Sequence, residues 1–338
     1  MKDDKAANSA VAEIARRTAV GLIRKVFGRT RVALTDFPAY DNVGDSALWV
    51  GARNALRLAD ANVVYGCTHM SYDPVALRAA IRGGTIALAA GGNFGDVWPR
   101  RQQFRERVVR DFPDVRIVQL PQSITFNTQE AIDRCRSIIG AHKNFTLMVR
   151  DEKSEAFARD KLGFDPILCP DMAFGMEAIE RIGNPIVDVL CLKRRDKESA
   201  APDWSAERAL VVDWGGLTPR EQWINKSTRY VRRLSGLGSV GRRAALAAFD
   251  ARASYRVRYG IKQLSSGRVV ISDRLHGVLI AHLAGIPVVA VDNVDKKVSA
   301  LIGTWNSDWP MPPVADSFQE AYERGLAQIS SNDPVKKS

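Results

Sequence analysis

Short apolar runs alternate with amphipathic stretches through the first half of the chain. RVALTDF (31–37), NVVYGC (62–67), TIALAAGGN (85–93), RIVQLPQSI (116–124), FTLMVRDEKS (145–154) and PILCPDMAF (166–174) are strand-like. Between them, residues 41–58, 73–82, 98–112 and 129–141 carry helical spacing of apolar positions. Strands that are apolar on both faces and separated by helices predict a parallel sheet covered on both sides. Residues 30–180 are therefore expected to form one Rossmann-like domain. A second series follows: IVDVLCLKR (186–194), RALVVDW (208–214) and RVVISD (268–273) as strands, 276–285 as a helix, and IPVVAVD (286–292) as the next strand. It predicts a second such domain over 181–330. The chain has 338 residues, which exceeds what one core usually supports. The expected fold is α/β, with two Rossmann-like domains facing each other across a cleft.

Two stretches fall outside this alternation. Residues 1–29 contain VAEIARRTAVGLIRKVF (11–27), where Val11, Ile14, Ala15, Ala19, Leu22, Ile23 and Val26 follow helical spacing opposite Arg16, Arg17, Arg24 and Lys25. This helix either packs on its own domain or lies on an anionic bilayer. Residues 215–262 read as a basic insertion, irregular at first and helical later. From Arg220 to Lys262 there are 11 Lys/Arg against Glu221 and Asp250. Such a run is either a solvated face or a docking surface for an anionic acceptor. The closing NDPVKKS reads as a frayed tail.

The net charge of +11 favours an anionic partner. No RNA- or DNA-binding module accompanies it, so nucleic acid is not an expected partner. No apolar run is long enough for a membrane span, and the polar start MKDDKAANSA lacks a secretory signal's apolar core. Cys67, Cys135, Cys169 and Cys191 are widely spaced and form no CxxC pair. Reduced structural thiols in a cytoplasm are the expectation, and zinc is not.

In open parallel sheets, ligands bind beyond the carboxyl ends of the strands. The polar residues just past each predicted strand are therefore the candidates. They are Asp41, Asn42 and Asp45; Asn93 and Asp96; Gln122 and Ser123; Arg150 and Asp151; Asp171; and Asp273, Arg274 and His276. Several have ordinary readings too. The aspartates at 41 and 45 suit helix caps, Arg150 and Asp151 suit an ion pair, and NVGD lacks the dinucleotide fingerprint. His282 reads as a packed core histidine, and His69 and His142 have no evident partner. The segment SDRLHGVLIAHLAGIPVVAVD (272–292) is the strongest signal. A helix N-terminus attracts anions, Arg274 adds a forked cation, and His276 supplies a group able to move a proton near neutral pH.

Taken together, DNVGDSAL (41–48), AGGNFGDVW (90–98), VQLPQSI (118–124), VRDEKS (149–154), CPDMAF (169–174), SDRLHGVLIAHLAGIPVVAVDN (272–293) and DKKV (295–298) resemble the polysaccharide pyruvyl transferase family, bacterial members above all. The resemblance implies a fold similar to GT-B glycosyltransferases. It implies phosphoenolpyruvate as donor, a sugar hydroxyl pair as acceptor and a pyruvate ketal as product, with no cofactor. Within it, Arg274 and His276 look like donor-site residues, His276 being the acid/base. Arg150 looks like a second donor cation, and Asn42, Asp45, Asn93, Gln122, Ser123, Asp171 and Lys297 look like further substrate contacts. Nothing in the set demands a metal. The acceptor is expected to be a lipid-linked oligosaccharide at the inner face of the membrane, which would give the basic helix a role. Two rivals stand beside this reading: a GT-B glycosyltransferase using a nucleotide sugar, and a non-catalytic scaffold of polysaccharide assembly.

Overall fold

Two parallel β-sheets organise the chain in the computed structural model, whose described residues are 2–195, 198, 204–214 and 238–331. Residues 215–237 of the basic insertion and the tail at 332–338 lie outside them. The chain divides into two units. The first comprises Arg16–Met176 with Gly216–Tyr255; the second comprises Met1–Ala15, Glu177–Gly215 and Arg256–Ser338.

The first unit carries strands β1 (Arg31–Thr35), β2 (Asn62–Gly66), β3 (Thr85–Leu88), β4 (Gly91–Gly95), β5 (Ile117–Thr125), β6 (Phe145–Val149) and β7 (Ile167–Leu168). They run in the order β2-β1-β3-β5-β6-β7, with β4 paired to β5. Every pairing is parallel. Successive strand residues point to opposite faces, and the cores follow that period of two. Val32 and Leu34 of β1, Ala87 of β3, Val118 and Leu120 of β5 and Met148 of β6 face one core. Ala33, Ile86, Leu88, Ile117, Leu147 and Val149 face the other. The first core is covered by α1 (Lys2–Phe27), α2 (Val43–Leu58) and Leu246, Phe249 and Ala253 of α7 (Gly238–Leu264). The second is covered by α3 (Pro74–Ile81), α4 (Pro99–Asp111), α5 (Gln129–Cys135) and the turns that follow α5 and α6 (Glu152–Phe157).

This packing decides between the two readings of the N-terminal helix. Ala19, Ile23 and Val26 of its apolar stripe, together with Phe27, lie buried in the first core. That stripe is not available for insertion into a bilayer, which corrects the membrane-lying reading; Arg17, Arg24 and Lys25 remain on its exposed side.

The GGNFG stretch, expected as a strand end and turn, forms β4 itself. At Gly95, φ is +127° and an added Cβ would fall 1.8 Å from the Thr125 carbonyl oxygen, so only glycine lets β4 lie this close to β5.

The second unit holds β8 (Val187–Leu192), β9 (Ala209–Val212), β10 (Gly267–Ser272), β11 (Val288–Val291) and β12 (Val314–Ala315). Their order is β12-β11-β10-β8-β9, again all parallel. Helix α10 (Phe318–Ser331) packs on one face, where Phe318 and Ala321 join Val189, Val269, Ile271 and Val289. Helices α8 (Leu275–Leu283) and α9 (Lys297–Trp305) complete the series. The chain is thus α/β, with a parallel sheet in each unit. All four cysteines are buried, unpaired thiols. Among the described residues, no helix is long and apolar enough to cross a membrane.

Candidate active site

Because each sheet is parallel, its strand ends gather along one edge; most candidate residues lie just past those ends, with Asn93 inside β4, Gln122 and Ser123 inside β5, and Lys297 at the start of α9. In the second unit, β10 ends at Ser272 and α8 begins at Leu275, leaving a two-residue turn. Ser272 fixes that turn. Its Oγ donates to the Leu192 carbonyl at 2.7 Å and accepts from the Arg274 N–H at 3.0 Å, tying the end of β10 to the end of β8. Gly277 sits in the first turn of α8. A Cβ there would come within 2.6 Å of the Leu192 side chain and 2.7 Å of Ser272 Oγ. Glycine therefore lets the helix N-terminus descend onto the sheet edge. His276 is half-buried beside it.

Arg274 points across the sheet edge to Asp213, just past β9. Its Nε donates to Oδ1 at 2.6 Å and its Nη2 to Oδ2 at 2.8 Å, a two-point pair with both side chains largely buried. The guanidinium also lies 5.9 Å from the centre of the Trp214 ring.

Asp273 is fully buried and accepts the Arg194 N–H at 2.8 Å through Oδ1, while Oδ2 has no hydrogen-bond partner among the described residues. Burial pushes its carboxyl up to about 6, against the opposing pull of the Arg194 and Arg274 charges. Between about pH 4 and pH 6 the folded chain therefore holds a proton that the unfolded chain has released, and stability falls as pH rises through that window. Asp273→Asn keeps an oxygen for Arg194 and removes the ionisation. It is expected to raise stability near neutral pH by about 2–3 kcal/mol and to give no gain below about pH 4. Urea unfolding on both sides of the window measures this; a gain independent of pH would contradict it.

Lys297 lies at the start of α9, largely buried between Asp295 (2.7 Å) and Glu198 (3.3 Å), and Glu198 also pairs with Arg194 at 3.1 Å. Arg194, Asp273, Glu198 and Lys297 are thus one charged network beside the Arg274–Asp213 pair.

The first unit presents two clusters. One is internal. Arg150, 2 % exposed, donates from Nη1 to Asp171 Oδ2 at 2.7 Å and from Nε to Ser123 Oγ at 2.9 Å. Ser123 in turn donates to Asp151, which caps α6 by accepting the Ser154 N–H. The partner of Arg150 is therefore Asp171 as well as the Ser123 relay, rather than the adjacent Asp151.

The second cluster lines a recess at the ends of β1 and β3, with Asp36, Tyr40, Asp45, Trp49 and Asn93 in its wall. Asn42 serves as N-cap of α2, accepting the N–H groups of Gly44 (2.8 Å) and Asp45 (3.4 Å). Tyr40 donates to Asp45 at 2.6 Å. Asn93 and Gln122 are coupled: Gln122 Oε1 accepts the Asn93 N–H at 3.0 Å. Arg105 donates to the side chains of Asn93 (2.8 Å) and Gln119 (2.6 Å), and burial lowers its pKa to about 10.

Four members of this recess and its surroundings escaped the sequence reading: Asp36, Tyr40, Arg101 and Arg105. Asp36 directly follows β1, in left-handed backbone at φ +62°, and pairs with Arg101. Burial raises its pKa against the pull of Arg101 and His69. A signal existed, since Asp36 stands near the end of the RVALTDF stretch, directly past β1. Arg101 and Arg105, by contrast, sit on α4, away from the strand ends that supplied the candidates. His69 does have neighbours: its Nδ1 is 3.2 Å from Arg101 Nη1 and 3.9 Å from Asp36. His142 also has one, with Nε2 2.9 Å from the Phe112 carbonyl. His282 is a buried core residue, and burial pushes its pKa down to about 4.

In the second unit the strand edge brings an arginine–carboxylate pair and a half-buried histidine to a helix start, groups suited to holding an anion, while the first unit's edge carries its own set of carboxylate, amide and arginine side chains. The profile of the polysaccharide pyruvyl transferase family matches residues 42–295, so the chain belongs to that family. Among its relatives, Pyruvyl transferase 1 of Schizosaccharomyces pombe is 33% identical over 82% of this chain and 70% of that protein. Putative pyruvyl transferase EpsO of Bacillus subtilis is 26% identical over 86% of this chain and 90% of its own length. The crystal structure of a functionally uncharacterised protein from Klebsiella pneumoniae aligns with a TM-score of 0.56, covering 90% of this chain and 99% of that one. At 14% identity, that likeness shows the fold alone.

Proposed function

We propose that the chain transfers the pyruvyl group of phosphoenolpyruvate to two hydroxyls of one sugar in a polysaccharide intermediate, forming a ketal and releasing phosphate. The observation that carries this reading is the start of α8 in a member of this family: a guanidinium held in place at the carboxyl edge of a parallel sheet, two residues from a half-buried imidazole. A donor bearing a carboxylate and a phosphate matches a helix N-terminus and an arginine fork. In the proposed reaction His276 delivers a proton to the donor's methylene carbon, and positive charge develops at the adjacent carbon. One sugar hydroxyl adds there and loses its proton. The bond to the phosphate oxygen then breaks, and the second hydroxyl adds and loses its proton to close the ketal. Asp45, Asn93 and Gln122, at the edge of the first sheet, are the proposed acceptor contacts.

No cofactor or metal takes part in this scheme. The proposed acceptor is lipid-linked, and the exposed Arg17, Arg24 and Lys25 offer the charge for a peripheral contact with an anionic inner-membrane face. The test is phosphate release from phosphoenolpyruvate in the presence of galactoside, glucoside and mannoside acceptors. Acceptor-dependent release is expected. Absence of release, with thermal stabilisation by a nucleoside diphosphate and not by phosphoenolpyruvate, would favour a nucleotide-sugar glycosyltransferase.

A further inference from the structure

Resting on that reading of the donor site, we infer that Asp213 is the positioning residue of Arg274. The carboxylate stands at the end of β9, the outermost strand, and Arg274 stands at the end of β10, with β8 between them. Two strand spacings, roughly 10 Å, separate the backbones of the pair. An arginine reaching that far has many rotamers, and only a fixed partner at its end holds one of them.

Asp213 is itself fixed. Its Oδ1 accepts the Trp214 N–H at 2.6 Å and its Oδ2 accepts the Arg195 N–H at 3.2 Å. The pair engages the Nε–Nη2 edge of the guanidinium, which sets the direction of the Nη1–Nη2 end. That end is the one a donor carboxylate or phosphate would meet. Asp213 thus trades one unit of unfavourable charge near an anion site for a defined orientation of its cation.

The trade gives the inference a distinctive sign. Removing a negative charge beside an anion site should tighten anion binding if charge alone mattered. It should also tighten binding if Asp213 merely blocked the arginine. Positioning predicts the reverse. In Asp213→Asn, the KM for phosphoenolpyruvate is expected to rise roughly tenfold to a hundredfold, because a misaimed group loses its contact. At saturating donor, kcat should fall much less than KM rises. Asp213→Glu, which keeps the charge but shifts the oxygens by one methylene, should sit between wild type and the asparagine variant.

The experiment measures steady-state phosphate release in parallel with calorimetric binding of phosphoenolpyruvate to the full chain, for wild type, Asp213→Asn and Asp213→Glu. Thermal melting of each variant reports whether it is folded. Binding that is unchanged or tighter in a folded Asp213→Asn would overturn the inference while leaving the donor reading intact. A wild type that neither binds phosphoenolpyruvate nor releases phosphate would instead remove the reading on which the inference rests. Should Asp213→Asn fail to fold, Asp213→Glu carries the same test, with weakened donor binding expected and wild-type binding decisive against it.

Discussion

His276→Ala is expected to abolish most acceptor-dependent phosphate release, by about 100-fold to 10,000-fold at saturating substrates, the range typical for loss of a positioned acid/base. The site gives the reason. A carbon acid must be formed at the donor's methylene group, and in the second unit His276 is the group beside Arg274 at the start of α8 that is built for moving a proton near neutral pH. Phosphoenolpyruvate binding should change little, because Arg274, its Asp213 partner and the α8 N-terminus are untouched by the substitution. Folding should hold as well, since His276 is only half-buried, unlike its neighbours Leu275 and Gly277. Single-turnover phosphate release beside calorimetric donor binding separates the two effects. Loss of binding in parallel with loss of turnover would make His276 a binding group. Wild-type turnover would move the proton transfer to another residue, with Asp273 the nearest candidate by sequence.

How much of this site could be read from the sequence depends on the range of the interactions. The DRLHG turn was legible because strand, turn and helix are contiguous and the helix N-terminus follows from local pattern alone. Asp213 is equally plain near the end of RALVVDW, yet its pair with Arg274 spans 61 residues and depends on β9 lying beyond β8. Strand order is not written in periodicity. The same holds for Arg150. Its neighbour in sequence, Asp151, made a local ion pair the natural reading, whereas the fold turns the guanidinium toward Asp171 at the end of β7. Arg101 and Arg105 lie on the helix α4, where a search of strand ends does not look, but tertiary packing draws them to the strand ends. The recess in the first unit was therefore seen only through Asp45 and Asn93. In α1 the apolar stripe was legible and its burial was not, because periodicity reports an amphipathic face without saying what covers it.

Arg150 carries the second large effect, and in stability rather than turnover. Asp171 is fully buried, and the guanidinium of Arg150 compensates its charge at 2.7 Å. Arg150→Met replaces the cation with an apolar chain of similar reach and removes that compensation from a buried carboxylate. Breaking one side of a buried pair typically costs about 3–5 kcal/mol, more than the pair itself contributes relative to an apolar substitute. The variant should therefore unfold at markedly lower urea concentration than wild type. Adding Asp171→Asn should restore much of the loss, because the amide oxygen can still accept the Ala173 N–H that Asp171 Oδ1 holds at 2.8 Å, and no charge is left stranded. Urea unfolding of the two single variants and the double variant gives the coupling directly. Donor binding by the folded Arg150→Met protein decides the other half of the question. Wild-type affinity for phosphoenolpyruvate would make Arg150 a brace of the first sheet's edge. Weakened affinity in the folded variant would make Arg150 a donor contact as well, as the family resemblance implies.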